Sequence, residues 1–289
     1  FAGMNLQSIS GCSAEVSLAG VANYAGGFAG SNEVNGVITG SSAKIVSPFK
    51  IVDMTDRVYY LGGLVGHNSG SLTYGCSVTG QQAEASGTGT YTIGGLIGAN
   101  SGFAGWCNSS VAVRGDSYVG GMIGWNQESG QLGSLEVTGD VKGNYYVGGL
   151  IGWNDSPKTI EMCRASGAVT AGYCGGGLIG WNEGNLTNCY ALGGAVVVTN
   201  AGGLVGSNHG TITTCYAAGR TTSTKDLHEN GGLVGINDGH VVKSYWDTST
   251  TGQRGGLTAD QMKKQGSFVG WDFTRVWDID EGESYPYFA

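Results

Sequence analysis

Carboxylates recur along this 289-residue chain at one register: Glu33, Glu128, Asp155, Glu183 and Asp238 each stand one or two residues after an asparagine of a repeated motif. Brought close together, such side chains could act as the acid and base of a glycan-cleaving site, or share a hard cation such as Ca2+ that takes several oxygen ligands. Cleavage of that kind draws on basic partners, and none stands at the same register. Solvated turn residues on an acidic surface are the simpler reading, with a weak Ca2+ site as the only metal chemistry the carboxylates suggest. Other catalytic patterns are missing. A zinc peptidase needs two histidines four apart on a helix, but four residues after His228, in the only His-Glu pair, comes Gly232. The remaining histidines, His67, His209 and His240, sit in or beside turns. No glycine-rich stretch ends in Gly-Lys-Ser/Thr, so a phosphate loop is excluded. The chain therefore reads as a non-enzyme, with no catalytic residue, no metal-ligand set and no cofactor assigned.

Seven cysteines, an odd number, lack metal-ligand spacing. Six of them, Cys12, Cys76, Cys107, Cys163, Cys189 and Cys215, fall seven to nine residues after the repeated asparagine, and Ser244 holds that place in the last copy. Cys163, Cys189 and Cys215 would lie within disulfide range on neighbouring coils. Free buried thiols, packing as small hydrophobes in a column that alternates with Ser, are the favoured reading.

Indoles give the sharpest binding signal. The residue just before the asparagine reads Met4, Ser31, His67, Ala99, Trp125, Trp153, Trp181, Ser207 and Ile236. A position that accepts Ser, His and Trp does not read as core. Trp125, Trp153 and Trp181 on consecutive coils, with Tyr118 and Tyr146 on nearby strands, would form an aromatic strip suited to stacking on sugar rings or packing against a protein. The blander reading is a partly buried ladder of rings that stiffens the molecule.

These columns exist because the chain is periodic. Gly-Gly-apolar-apolar-Gly-x-Asn occurs as GGFAGSN ending at Asn32, GGLVGHN at Asn68, GGLIGAN at Asn100 and GGMIGWN at Asn126, then GGLIGWN at Asn154 and Asn182, GGLVGSN at Asn208 and GGLVGIN at Asn237. The opening residues Phe1 to Asn5 read as the end of a ninth copy, so further domains of a parent chain are expected. Asparagines are separated by 27, 36, 32, 26, 28, 28, 26 and 29 residues, a period typical of stacked repeats. A further column, eight residues before the asparagine, holds Tyr24, Tyr60, Thr92, Tyr118, Tyr146, Cys174, Asn200 and Glu229.

Each repeat contains about three short β-prone pieces, such as Tyr145-Tyr146-Val147, Leu150-Ile151 and Leu135-Glu136-Val137, separated by Gly, Asn and Ser turns. One repeat cannot bury its own apolar face, whereas copies stacked in register make a continuous core. The spacing predicts an all-β parallel β-solenoid of about nine coils over residues 1–250, a rod on the order of 40 Å long at ~4.8 Å per coil. The glycines are expected to supply bends at positive φ and close approach between coils. The asparagines Asn32, Asn68, Asn100, Asn126, Asn154, Asn182, Asn208 and Asn237 are expected to serve turns and to form an amide ladder. Residues 251–289 leave the repeat and predict a cap over the last coil, with one short helix from Ala259 to Gln265 opened by the capping box Thr258-Ala259-Asp260-Gln261.

Composition closes off other classes. Charged residues are only 12% while 14 Tyr, 7 Trp and 7 Phe are present, which argues against disorder. The 56 glycines do not recur every third residue, so collagen is excluded. A net charge of −8 without any Lys/Arg run makes nucleic acid an improbable partner, and no apolar stretch approaches the ~18 residues of a membrane helix, so no membrane insertion is expected.

The repeat GG(L/M/F)(V/I/A)GxN at about 28 residues resembles the GLUG motif of large secreted bacterial proteins, among them filamentous-haemagglutinin-like adhesins and IgA-specific metallopeptidases. The segment beginning SYWDTSTTGQRGGLTADQM resembles the tail that commonly follows such repeats. The resemblance implies an extracellular or cell-surface module of structural or adhesive type, meeting a glycan or a host surface or matrix protein. An accessory domain of a secreted protease and, further behind, a glycan-active β-helix enzyme are the alternatives.

Overall fold

The computed structural model describes residues 2–17, 19–20, 23–47, 50–51, 58–84, 90–225 and 230–289. Glu229 of the tyrosine column and the pair His228-Glu229 lie outside the described residues. The chain is an all-β parallel solenoid. Its motif sheet has nine strands in sequential order, Ala2–Asn5, Ala29–Asn32, Val65–Asn68, Ile97–Asn100, Ile123–Asn126, Ile151–Asn154, Ile179–Asn182, Val205–Asn208 and Val234–Asn237. Between the first and the ninth strand the chain completes eight turns. A second sheet of eight strands, from Tyr24–Gly26 to Asn230–Gly231, precedes it around the coil. A third parallel sheet includes the run Ser8–Ser10 to His240–Val242, and the turn is closed by the run Ala83–Glu84 to Thr221–Ser223, with the parallel pair Ala19–Gly20 and Lys50–Ile51 in the first coils. One coil thus holds four or five short strands, more than the three pieces apparent from propensity, because two-residue strands leave little pattern to read.

The core is a set of columns with one residue per coil. Phe28, Leu64, Leu96, Met122, Leu150, Leu178, Leu204 and Leu233 stack in one of them, all at most 3% exposed. Their backbones are linked directly, for example Leu96 N donating to Met122 O at 3.0 Å and Leu150 N to Leu178 O at 2.8 Å. Beside them runs the asparagine column. Asn5 Nδ2 donates to Asn32 Oδ1, and the same bond repeats through Asn68, Asn100, Asn126, Asn154, Asn182, Asn208 and Asn237, each at 2.7–2.9 Å. Several of these amides spend their second N–H on a carbonyl of their own turn, as Asn182 does with Gly184 O at 2.8 Å. From Asn32 to Asn208 the side chains are completely buried. A buried amide without such partners would be costly, so the ladder is the condition on which these polar groups enter the core.

The motif glycines serve close approach and not the expected positive φ. A Cβ on Gly148 would lie 2.1 Å from Ile151 O, and one on Gly149 2.2 Å from Gly177 O in the next coil. Backbone replaces side chain there. Left-handed backbone falls instead on a corner column of mostly non-glycine residues, with Tyr74, Trp106, Ser134, Met162, Asn188, Thr214 and Lys243 at φ between 47 and 56°, continued by Gly11 and Gly40 in the first coils. Each precedes the cysteine column by one or two residues, where Ser41 and Leu135 fill the gaps between Cys12, Cys76, Cys107, Cys163, Cys189 and Cys215. Left-handed residues other than Gly or Asn are disfavoured by about 1–2 kcal/mol each, so stacking of the coils overrides local preference at this corner.

The C-terminal segment caps the last coil and differs from the expectation in two details. It has two short helices, Thr248–Thr251 and Ala259–Met262; the second opens with the expected capping box but stops three residues before Gln265. It also runs along the flank. Trp271, Trp277 and Phe268 pack on Tyr190, Tyr216 and Tyr245 of three successive coils, and Tyr216 donates to Pro286 O at 2.7 Å. Trp246 packs against the solenoid core, and the segment continues over the open edge of the last coil, where Asp247 pairs in parallel with Leu257, Leu257 N donating to Trp246 O at 2.9 Å and Thr248 N to Leu257 O at 2.8 Å; Val241 and Val242 stay exposed. Tyr190, Tyr216 and Tyr245, in register on successive coils, offer an apolar lateral face that the segment covers as well. Among the described residues no helix is long and apolar enough to cross a membrane.

Replacing Asn154 by Ala should cost about 1–3 kcal/mol, because it leaves the amides of Asn126 and Asn182 each short of one partner; urea unfolding should show a smaller loss for Asn237→Ala at the exposed end of the ladder. Equal losses at both positions would show that burial within the ladder is not the source of the energy. Replacing Ser134 by Gly at the left-handed corner should stabilise by about 0.5–1 kcal/mol, as relief of a strained φ outweighs the added freedom of the unfolded chain. A lowered unfolding midpoint would refute that account.

Candidate functional site

Trp125, Trp153 and Trp181 sit one residue before the ladder asparagines on three adjacent strands and pair in register. In an uninterrupted strand Ile151 and Trp153 would share a face. Here Ile151 is fully buried while Trp153 is half-buried, and at Gly152 between them a Cβ would lie 2.5 Å from Val119 N of the adjoining sheet. Tyr118 and Tyr146 pair in register on the second sheet and lean over the same edge. All five rings meet. Tyr118 stacks on Tyr146 at 5.6 Å, Tyr118 meets Trp153 edge-on at 5.0 Å, Tyr146 meets Trp153 at 5.5 Å and Trp181 at 5.4 Å, and the indoles follow one another at 6.2 and 6.5 Å.

The rings are half-buried, each covered by its neighbours on both sides. Small residues in the tryptophan column are fully covered, Ala99 and Ser207 among them, which departs from the expectation of a surface register. The reason is that flanking rings close over a short side chain. Burial, followed by the neighbouring phenol, pushes the Tyr118 hydroxyl above its ordinary pKa, and burial leads at Tyr146 as well. Trp181 Nε1 donates to Glu183 Oε1 at 2.7 Å, whereas Nε1 of Trp125 and Trp153 is buried with no hydrogen-bond partner among the described residues. Sequence reading did not include the extensions of this strip. Tyr24 and Tyr60 stack at 5.4 Å and meet His67, Tyr60 reaches Trp125 at 6.3 Å, and His209 stacks on Trp181 at 4.4 Å. The signal was present, since both tyrosines occupy the column of Tyr118 and both histidines lie within one residue of a ladder asparagine.

The carboxylate edge is looser. Burial and then the charges of Glu183 and Glu128, which follow the asparagines of the adjacent coils, push the Asp155 carboxyl up. Glu33 instead accepts from Ser31 Oγ, Asp238 lies 3.6 Å from His209, and Lys158 donates to Ser129 O. Among the described residues no three His, Cys, Asp or Glu side chains converge in a way that could hold a metal ion. All seven cysteines are free. The Cys76 thiol is pushed down to about 7 by its bond with Cys107, whose own thiol is pushed up; both are buried, so neither is placed to attack a solute.

With the ladder, the glycine contacts and the coil period in place, residues 58–82 and 143–170 match the family model of the GLUG motif. The chain carries GLUG repeats. Its GLUG solenoid is similar in fold to the crystal structure of a candidate immunoglobulin A1 protease from Bacteroides ovatus, with 15% sequence identity, a TM-score of 0.50, and coverage of 98% of this chain and 86% of that one. At that identity the similarity concerns the fold alone. No curated protein matches this chain.

Asp155 has a raised pKa in the folded state, so its contribution is favourable below the ordinary carboxylate range and is lost as pH rises through the raised value. Asp155→Asn should therefore melt slightly higher than the parent at pH 7 and at the same temperature at pH 3. Thermal scans at the two pH values check this; a gain that persists at pH 3 would assign the effect to something other than charge.

Proposed function

We propose that this chain is a non-catalytic structural and adhesive module of a secreted or surface-exposed bacterial protein, a stiff rod whose aromatic strip meets a glycan or a host matrix protein. The observation that carries this reading is the strip itself. Nine or so rings are interlocked across many coils at the rod surface, from Tyr24 to His209. Their rotamers are fixed before any ligand arrives, so little side-chain entropy is lost on contact, and part of each strip ring remains accessible. An extracellular setting is supported by the GLUG repeats and by an acidic, charge-poor rod without Lys/Arg runs. Its contact surface needs no cofactor.

A second reading, an accessory domain of a secreted protease, is supported by the solenoid shared with the Bacteroides ovatus chain. In that case the rod would hold or space a catalytic domain carried elsewhere in the polypeptide. The two readings differ in whether the isolated rod binds a ligand.

The test is an array of glycans and immobilised matrix proteins probed with the intact rod, followed by Trp→Ala changes at positions 125, 153 and 181. A contact strip should lose about 1–3 kcal/mol of affinity per indole. Because the rings interlock, Trp153→Ala should also lower stability more than Trp181→Ala, so affinity is compared only among variants shown by circular dichroism to be folded. Unchanged affinity in all three folded variants would remove the strip from the binding reading and leave it as a stiffening ladder.

A further inference from the structure

A different face carries a second aromatic feature. In the left-handed corner column, Tyr74 and Trp106 are the only aromatic residues, they occupy adjacent coils, and they are 67% and 51% exposed. Their rings are parallel within 5° at 5.1 Å. Tyr74 therefore backs Trp106 from the preceding coil, while on the following coils the column shrinks to Ser134 and then Met162. Beyond that step lies an open slot of about 390 Å³ lined by Trp106, Ser134, Leu135, Glu136, Met162 and Arg164 together with Phe288 of the C-terminal segment. That volume falls within the range of roughly 300–1,000 Å³ found for small-molecule clefts.

The floor is polar and balanced. Arg164 Nη2 lies 2.8 Å from Glu136 Oε2, and Arg164 Nη1 donates to the Tyr190 hydroxyl at 3.1 Å. Of the five guanidinium donors these contacts occupy two, and the second carboxylate oxygen of Glu136 has no hydrogen bond among the described residues. Donors and acceptors are thus left side by side with no net charge. An anionic ligand would meet Glu136, and a cationic one would meet Arg164. A neutral polyol meets neither difficulty, since adjacent hydroxyls can accept from the guanidinium and donate to the carboxylate while an apolar C–H face lies on the indole.

We propose that the slot between Trp106 and Phe288 is a saccharide-binding site for one or two neutral pyranose units. Two features support a built site over an incidental hollow. The two large exposed rings sit at positive φ, where they contribute nothing to the core, and one wall comes from a segment held in place by its packing on Tyr190 and Trp277. The site uses none of the residues of the strip formed by Trp125, Trp153 and Trp181, so the two readings stand or fall separately.

The experiment titrates the intact protein with neutral mono- and disaccharide methyl glycosides, then with any neutral oligosaccharide retained on an array, following binding by calorimetry and by tryptophan fluorescence. Trp106→Ala and Phe288→Ala should each weaken binding at least tenfold, and Glu136→Gln about fivefold, with Trp106→Ala leaving the melting temperature unchanged because the indole is exposed. Trp153→Phe should leave this binding intact. Overturning results are the absence of saturable binding by any neutral saccharide, equal binding by Trp106→Ala, or a preference for anionic sugars. Should Phe288→Ala loosen the C-terminal segment, the Trp106 and Glu136 variants still decide. A ligand lost in the strip variants yet kept in Trp106→Ala supports the strip and refutes the slot.

Discussion

Nine asparagine side chains pass a hydrogen bond from coil to coil down the molecule, and the rest of the architecture is arranged so that this can happen. An amide has both a donor and an acceptor, so identical residues can satisfy one another indefinitely when they are spaced by the strand separation and kept in strict register. That requirement explains why insertions between Asn32 and Asn100 are absorbed elsewhere in the coil while the motif strands remain paired residue for residue. It also explains the burial. A single asparagine in this core would be a liability, whereas a column of them is a seam that tolerates only one alignment.

Glycine has the complementary role. The turn between the second sheet and the motif sheet brings main chain against main chain, both within a coil and between coils, at distances that leave no room for a Cβ. The corner opposite in character, before the cysteine column, accepts Tyr, Trp, Ser, Met, Asn, Thr and Lys at positive φ. The solenoid therefore uses glycine where backbone must touch backbone, and bears strain where a turn is needed but side chains can project outward. Projection has a use. It frees that corner to vary from coil to coil, and the aromatic pair Tyr74 and Trp106 arises there.

Two aromatic surfaces result, with different physical character. The strip of indoles and phenols beside the asparagine ladder is a close-packed pavement in which each ring is immobilised by the next. Burial of its phenols raises their pKa values, so the strip stays uncharged through the physiological range. Near the flank, the rings stand apart and bound a slot whose floor carries a carboxylate and a guanidinium. The C-terminal segment belongs to the second surface alone, since its aromatic cluster grips three coils through Tyr190, Tyr216 and Tyr245 while Phe288 lines the slot.

Much of this was legible from the residues alone. The period, the parallel solenoid, the register of the columns, the amide ladder and the capping box at Thr258 all follow from a repeat that cannot bury its apolar face singly. Recurrence at fixed spacing fixes which residues must be neighbours. What sequence could not supply is what depends on the path of the chain between those neighbours. Positive φ was assigned to the motif glycines, and the structure puts it on Tyr74, Trp106, Ser134 and Met162, because coil stacking imposes a corner that no local preference announces. The tryptophan register read as surface, yet Ala99 and Ser207 are covered completely, Ala99 where Tyr60 of the adjoining sheet reaches Trp125 and Ser207 where His209 stacks on Trp181, contacts that depend on how columns from different parts of the coil meet. The C-terminal cap reaches from the edge of the last coil onto the flank, since the apolar face made by Tyr190, Tyr216 and Tyr245 exists only once three coils are stacked. Spacing determined the neighbours along the rod axis; only the tertiary fold decided which side chains from different columns would touch.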